Sequence, residues 1–229
     1  MSEKVRNMFA DIADDYDRVN SILSFGVHHA WRARTVQLSG AKKGDKVLDC
    51  ATGTGDLAIE FKEKVGSEGY VLGTDFCKEM IEHAPDKARE NDLDVDFEVA
   101  DAMNLPYEDD RFDIASIAFG IRNVDDPVVA LKEMARVVRP GGSVIVLEFG
   151  QPKGLLKYPY ELYSQYIMPT VGGWISGNKE AYTYLPKTSA AFPAGDKFIT
   201  LMDQAESFSH TDLEKLTGGI AYIYIGTVA

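Results

Sequence analysis

The pattern of apolar and polar positions changes twice along the chain. Over roughly the first 44 residues, Val5, Met8, Phe9, Ile12 and Tyr16 recur at three- and four-residue steps, which is the spacing of one helix face. A second helical stretch is predicted near 29–38. From 46 onward, short apolar runs alternate with amphipathic stretches. Strands are predicted at 46–50, 70–75, 95–100, 112–118 and 143–149, and helices at 56–64, 78–91 and 127–138. The last of these helices is stopped by Pro140-Gly141-Gly142. Residues 151–205 break the alternation with a helical, aromatic segment that holds Tyr158, Tyr160, Tyr163, Tyr166 and Trp174. Two further strands, at 210–216 and 221–228, flank Gly218-Gly219.

Strands alternating with helices imply an α/β fold, doubly wound, in which a mostly parallel seven-stranded sheet is covered by helices on both faces. The length of 229 residues suits one domain with added segments. The expected division is an N-terminal helical cap over 1–44, a ligand-binding core over 45–150, a helical lid over 151–205 and C-terminal strands over 206–229. Open sheets of this kind bind ligands beyond the carboxyl ends of their strands.

Candidate chemistry falls at those ends. Asp49-Cys50-Ala51-Thr52-Gly53-Thr54-Gly55-Asp56 closes a strand and opens a helix. Its glycines let a ligand approach the backbone, and the helix start offers N–H donors. Gly53-x-Gly55-x-x-Ala58, with Asp75 20 residues after Gly55, also satisfies the dinucleotide fingerprint. Asp56 separates the readings, because a carboxylate at the helix start repels a pyrophosphate. S-adenosylmethionine carries no phosphate; its ammonium and sulfonium suit both Asp49 and Asp56. Asp75, ending the second strand, is placed to accept hydrogen bonds from ribose hydroxyls. Asp101 and Ala102 follow the third strand, where an adenine would lie. The local alternatives are helix-dipole compensation for Asp56, a helix cap for Asp75 and a turn residue for Asp101.

Composition narrows the function. With 36 acidic and 24 basic residues the net charge is −12, against the basic face of a nucleic-acid binder, so no nucleic acid is expected as partner. No run of about 18 apolar residues suggests a membrane span, and the first residues lack the apolar core of a secretory signal. The two cysteines, Cys50 and Cys77, read as reduced and structural, which points to a cytoplasmic protein. No metal-ligand spacing of Cys and His occurs.

Longer motifs carry a resemblance. Phe9-x-x-Ile12-Ala13-x-x-Tyr16-Asp17-x-x-Asn20-x-x-x-Ser24-x-Gly26-x-His28-x-x-Trp31-Arg32 is similar to the N-terminal signature of the ubiquinone/menaquinone biosynthesis C-methyltransferase family. Phe119-Gly120-Ile121-Arg122-Asn123-Val124 resembles its second signature. Arg139-Pro140-Gly141-Gly142, Leu147-Glu148-Phe149, Tyr182-x-Tyr184-Leu185 and Leu216-Thr217-Gly218-Gly219 match as well. The resemblance spans nearly the whole chain.

It implies a class I methyltransferase that uses S-adenosyl-L-methionine to methylate a ring carbon of a polyprenylated quinol. The rival reading is methylation of another small aromatic or amine acceptor. Further rivals are a nicotinamide-dependent oxidoreductase and a non-catalytic subunit with this fold. Cofactor contacts are expected at Asp49, Gly53, Thr54, Gly55, Asp75, Asp101, Ala102 and Ala118; the last offers no hydroxyl where the family often has Ser. Ring chemistry requires a cation to lower the pKa of a phenol, ordinarily near 10. Arg122 is the first candidate, with Asn123 to hold a ring oxygen, His28 for proton transfer and Tyr16 to orient the ring. An Arg122 serving structure alone is expected to pair with Asp125 or Asp126. The aromatic lid suits a hydrocarbon tail and peripheral contact with a membrane. Homodimer formation is left open.

Overall fold

The computed structural model describes residues 3–229. Three helices come first: α1 (Glu3–Ala10), α2 (Tyr16–Leu23) and α3 (Val27–Leu38). The alternating core follows as β1 (Lys46–Cys50), α4 (Asp56–Val65), β2 (Tyr70–Asp75), α5 (Lys78–Ile81), α6 (Ala84–Glu90), β3 (Asp96–Val99), β4 (Phe112–Ala118), α7 (Pro127–Arg136) and β5 (Val138–Phe149). Helices α8 (Lys157–Leu162), α9 (Met168–Ser176), α10 (Lys179–Ala191) and α11 (Asp196–Gln204) lead to β6 (Phe208–Leu216) and β7 (Ala221–Val228).

The strands form a single seven-stranded sheet in the order β3-β2-β1-β4-β5-β7-β6. The first five are parallel, and β7 pairs antiparallel with both β5 and β6. β1 and β4 are mostly buried, Asp49 and Ser116 included, because helices cover both faces of the sheet. One face packs Phe112, Leu131, Met134, Phe198 and Tyr224, and the other packs Trp31, Leu57, Phe61, Val65 and Ile145. A third cluster joins cap to lid through Ile12, Val19, Leu23, Met168 and Tyr182.

Two element boundaries differ from the sequence expectation. The helix expected over 78–91 is broken into α5 and α6, with Pro85 in the first turn of α6. A proline there has no N–H to give the preceding turn, and its ring collides with the carbonyl four residues back. The helix expected over 127–138 ends at Arg136, and β5 starts at Val138, opposite Phe112. Arg139-Pro140-Gly141-Gly142 lies inside β5, where the register shifts between Phe112 and Ile114. A β-carbon on Gly142 would stand 2.6 Å from the Asp113 carbonyl oxygen, so the close strand pairing there requires glycine.

The strand order reverses between the parallel neighbours β1 and β4, and the loops after these strands face each other across that point. Their first residues, Ala51 and Phe119, both take left-handed backbone conformations, with φ of 49° and 56°. A β-carbon on Gly120 would lie 2.4 Å from that of Ala51, so the two loops touch. Helix α3 is fastened over this region from the far end of the chain. Trp31 Nε1 donates to Thr217 Oγ1 at 2.9 Å, and the Arg34 guanidinium grips Glu214 at 2.8 and 2.7 Å. Among the described residues, no helix is long and apolar enough to cross a membrane.

Candidate active site

The glycine loop is organised by two carboxylates. Asp49 is 1% exposed and takes hydrogen bonds from Ser116 Oγ at 2.7 Å and Thr52 Oγ1 at 2.6 Å. Burial pushes its pKa up to about 6, against the pull of those hydroxyls. Asp75, at the end of β2, accepts from the backbone N–H groups of Gly53 at 2.9 Å and Cys77 at 2.8 Å. Burial raises its pKa as well, opposed by these backbone donors. Gly53 and Gly55 hold positive φ, and a β-carbon on Gly55 would meet Ala84 and Phe97 at 3.0 Å.

Thr54 Oγ1 donates to Asp17 Oδ1 at 2.6 Å and receives Lys87 Nζ at 3.0 Å, so its side chain is committed to the cap. The Asp101 carboxylate takes the Met103 N–H at 2.9 Å, an Asx turn. Ala102 packs with Leu105 and Tyr107 in the core, and Ala118 ends β4 against the opposite core cluster.

Asp56 departs from expectation. It is not left to meet a ligand cation. Arg32 Nη1 lies 2.8 Å from one of its oxygens and Lys87 Nζ 2.6 Å from the other. Lys87 also pairs with Asp17. Helix α3 packs on α4 and carries Arg32 to the start of that helix, where sequence spacing could not place it. A ladder of charges thus runs from Arg32 through Asp56 and Lys87 to Asp17 and Thr54.

Beside the glycine loop lies a cavity of about 370 Å³, walled mainly by apolar side chains such as Phe9, Trp31, Phe119, Phe149 and Leu185. Tyr16, His28 and Arg122, named from sequence, all line it. Asn123 does not; it is 7% exposed and accepts from the Tyr184 hydroxyl at 3.1 Å. The carboxylate that Arg122 meets comes from the next strand, β5. Arg122 Nη1 reaches Glu148 Oε1 and the Phe119 carbonyl oxygen, both at 2.6 Å. The Arg122 and Glu148 side chains are 4% and 1% exposed, so this is a fully buried ion pair. β4 and β5 are adjacent, and that pairing brings together residues 26 apart in sequence.

His28 Nδ1 is 2.6 Å from Ser24 Oγ, and its ring lies tilted by 40° against that of His29 with centroids 3.9 Å apart. Burial, with the Arg32 charge second, pushes the imidazole down to about 4. At neutral pH it is uncharged and a weaker base than a free histidine. Burial raises the Tyr16 phenol, partly offset by Arg32 and Arg122. Sequence reasoning gave no role to Arg32, Glu148 or Lys87. One signal was present for Arg32: it follows His28 by four residues on α3, on the same helix face.

These features fit S-adenosylmethionine. A carboxylate offers about four acceptor positions, and Asp75 spends part of them on the backbone N–H groups of Gly53, in the glycine loop, and Cys77, after β2. Asp49 is a buried carboxylate held by the hydroxyls of Thr52 and Ser116, a setting that a nearby cation would relieve.

The fold and this loop are those of class I S-adenosylmethionine-dependent methyltransferases. A solved SAM-dependent methyltransferase of Thermotoga maritima shares the fold, with a TM-score of 0.69 over 96% of this chain and 98% of that one at 22% identity. The chain belongs to the ubiE/COQ5 methyltransferase family, whose sequence profile matches residues 1–228. It is 59% identical to the ubiquinone/menaquinone biosynthesis C-methyltransferase UbiE of Bdellovibrio bacteriovorus, across 99% of this chain and 96% of that protein. It is 38% identical to the demethylmenaquinone methyltransferase of Staphylococcus carnosus, across 98% of this chain and 92% of that one.

Proposed function

We propose that this protein transfers a methyl group from S-adenosylmethionine to a ring carbon of a polyprenylated quinol in menaquinone or ubiquinone biosynthesis. The observation that carries the reading is the apolar cavity with a buried guanidinium in its wall, set beside the glycine loop at the reversal point of the sheet. Both curated relatives cited above are named for the same kind of chemistry.

S-adenosylmethionine, when bound, supplies an electrophilic methyl group on a sulfonium. Asp75 would hold its ribose, Asp101 and Ala102 its adenine, and Asp49 its cationic end, with the backbone of Gly53, Thr54 and Gly55 beneath it and Ala118 alongside. Carbon methylation requires the neighbouring ring hydroxyl to give up its proton, and a phenol near 10 does so more readily beside a cation. Arg122 provides that cation. Being always charged, it is a poor base. Asn123 reaches the acceptor through the Tyr184 hydroxyl that it holds. Tyr16 packs against the ring, and His28 is the neutral imidazole available for the proton.

The prenyl tail leaves through the cavity mouth, where Phe25 is 83% exposed and Leu156 is 47% exposed. Leu155, Tyr158 and Trp174 are exposed as well, and such apolar side chains suit peripheral contact with a membrane. The four segments 1–44, 45–150, 151–205 and 206–229 act as cap, cofactor core, lid and closing strands of one domain. The test is methyl transfer from labelled S-adenosylmethionine to reduced demethylmenaquinol and 2-polyprenyl-6-methoxybenzoquinol, with products identified by mass. Label on a ring carbon supports the reading, and the preferred ring names the pathway. No label on either acceptor, with cofactor binding intact, refutes it.

A further inference from the structure

The acceptor cavity contains a second buried cation. Arg32 lines it one helical turn beyond His28 and is 7% exposed. Its Nη1 is close to Asp56, yet the N–H groups there find no acceptor in hydrogen-bond geometry. Arg122 has the same character: Nη1 is engaged by Glu148 and Phe119, while Nε is buried without a partner. Both guanidiniums act on the Tyr16 phenol, so both lie within electrostatic reach of one point in the cavity. A guanidinium stays charged and carries five N–H donors in a fixed fork. Two guanidiniums lining one mainly apolar cavity suit a ligand with two separated acceptor atoms.

We propose that Arg32 is a second acceptor-binding residue, donating to the ring oxygen that lies across the quinol from the one facing Arg122. The inference rests on the quinol reading and deepens it. A quinol carries two oxygens on opposite sides of its ring, whereas a simple phenol carries one. Arg122 alone would accept either compound; Arg32 selects the quinol. The planar fork of arginine suits the position, since one edge can stay with Asp56 while another faces the ligand.

The experiment compares two naphthol acceptors with the same prenyl chain. One is demethylmenaquinol. The other keeps the hydroxyl beside the acceptor carbon and lacks the one across the ring. Each is assayed with the wild-type enzyme and with Arg32→Lys, which keeps a positive charge against Asp56 but loses the fork. Arg32→Lys is expected to lower kcat/KM about 10- to 100-fold for the two-oxygen acceptor, the scale of a lost charged hydrogen bond. For the one-oxygen acceptor the ratio of variant to wild type should stay within about threefold, because the contact is already missing. If Arg32→Lys does not fold, Arg32→Gln is put through the same comparison. Equal losses on both acceptors would overturn the proposal and leave Arg32 as a partner of Asp56 only, with the quinol reading intact. No methylation of either acceptor by the wild type would overturn the quinol reading, and the Arg32 assignment with it.

Discussion

Glu148→Gln isolates the charge of the buried ion pair. Glu148 Oε1 accepts from both Arg122 Nη1 and the Phe149 N–H, at 2.6 and 2.8 Å. A glutamine carbonyl placed at that position keeps both bonds. The other oxygen accepts from the Arg122 backbone N–H at 3.4 Å, so an amide nitrogen there loses that long contact and adds the cost of its own buried donors to the loss of charge. What the substitution removes is the negative charge opposite a guanidinium whose side chain is 4% exposed. Leaving one member of a buried pair uncompensated costs about 3–5 kcal/mol. For a domain of this length that corresponds to a fall in melting temperature of about 6–20 °C. Thermal and urea unfolding followed by circular dichroism measure it, with the urea m-value checking that the denatured state is unchanged. The companion variant Arg122→Met/Glu148→Gln removes both charges. It should be more stable than the sum of the two single changes predicts, by about 1–3 kcal/mol of coupling. Melting of Glu148→Gln within about 2 °C of wild type, or strict additivity of the pair, would show that Arg122 does not depend on Glu148 for compensation.

Three further outcomes are expected. Asp75→Ala should raise the Kd for S-adenosylmethionine about 10- to 100-fold by calorimetry, and an unchanged Kd would remove Asp75 from the ribose contact. Asp49 titrates near 6 because it is buried, and its ionised form favours a cation. Wild-type affinity for the cofactor should therefore rise as pH passes upward through about 6 while Asp49→Asn stays flat; parallel profiles would refute the placement. His28 titrates near 4 in the folded protein and at 6.5 in its ordinary state. The unfolded chain therefore takes up the proton first as pH falls, and stability contributed by neutral His28 is present above 6.5 and lost between 6.5 and 4. The melting temperature of the wild type should drop more between pH 7 and pH 5 than that of His28→Asn, and equal drops would contradict the buried neutral imidazole.

Local signals carried most of the fold into the sequence. Short, mostly apolar segments marked the central strands, since parallel strands covered on both faces carry few exposed positions, although Asp49 and Asp113 interrupt β1 and β4. Boundaries failed where two local signals competed. Pro85 broke a helix that periodicity alone would have continued, and the Pro-Gly-Gly segment lies inside β5 as an irregularity between Val138, paired with Phe112, and Ser143, paired with Ile114. The site was legible as far as single loops reach: Asp49, Gly53, Gly55 and Asp75 do lie together around one loop. Partnerships between distant segments were not. Nothing near Asp56 announces Arg32 or Lys87, and nothing near Arg122 announces Glu148, because helix docking and strand order decide those pairs.

The contact between Ala51 and Gly120 has a consequence for how the two substrates meet. On the proposed reading one loop lies under the cofactor and the other carries Arg122 into the acceptor cavity, and they touch where a single β-carbon would not fit. On that reading a shift that tightens one loop on its ligand is expected to displace the other. Any effect of the first substrate on the affinity of the second must then appear, by the same factor, in the reverse order of addition. The absence of a side chain at Gly120 is thus what allows the two half-sites to keep each other in step.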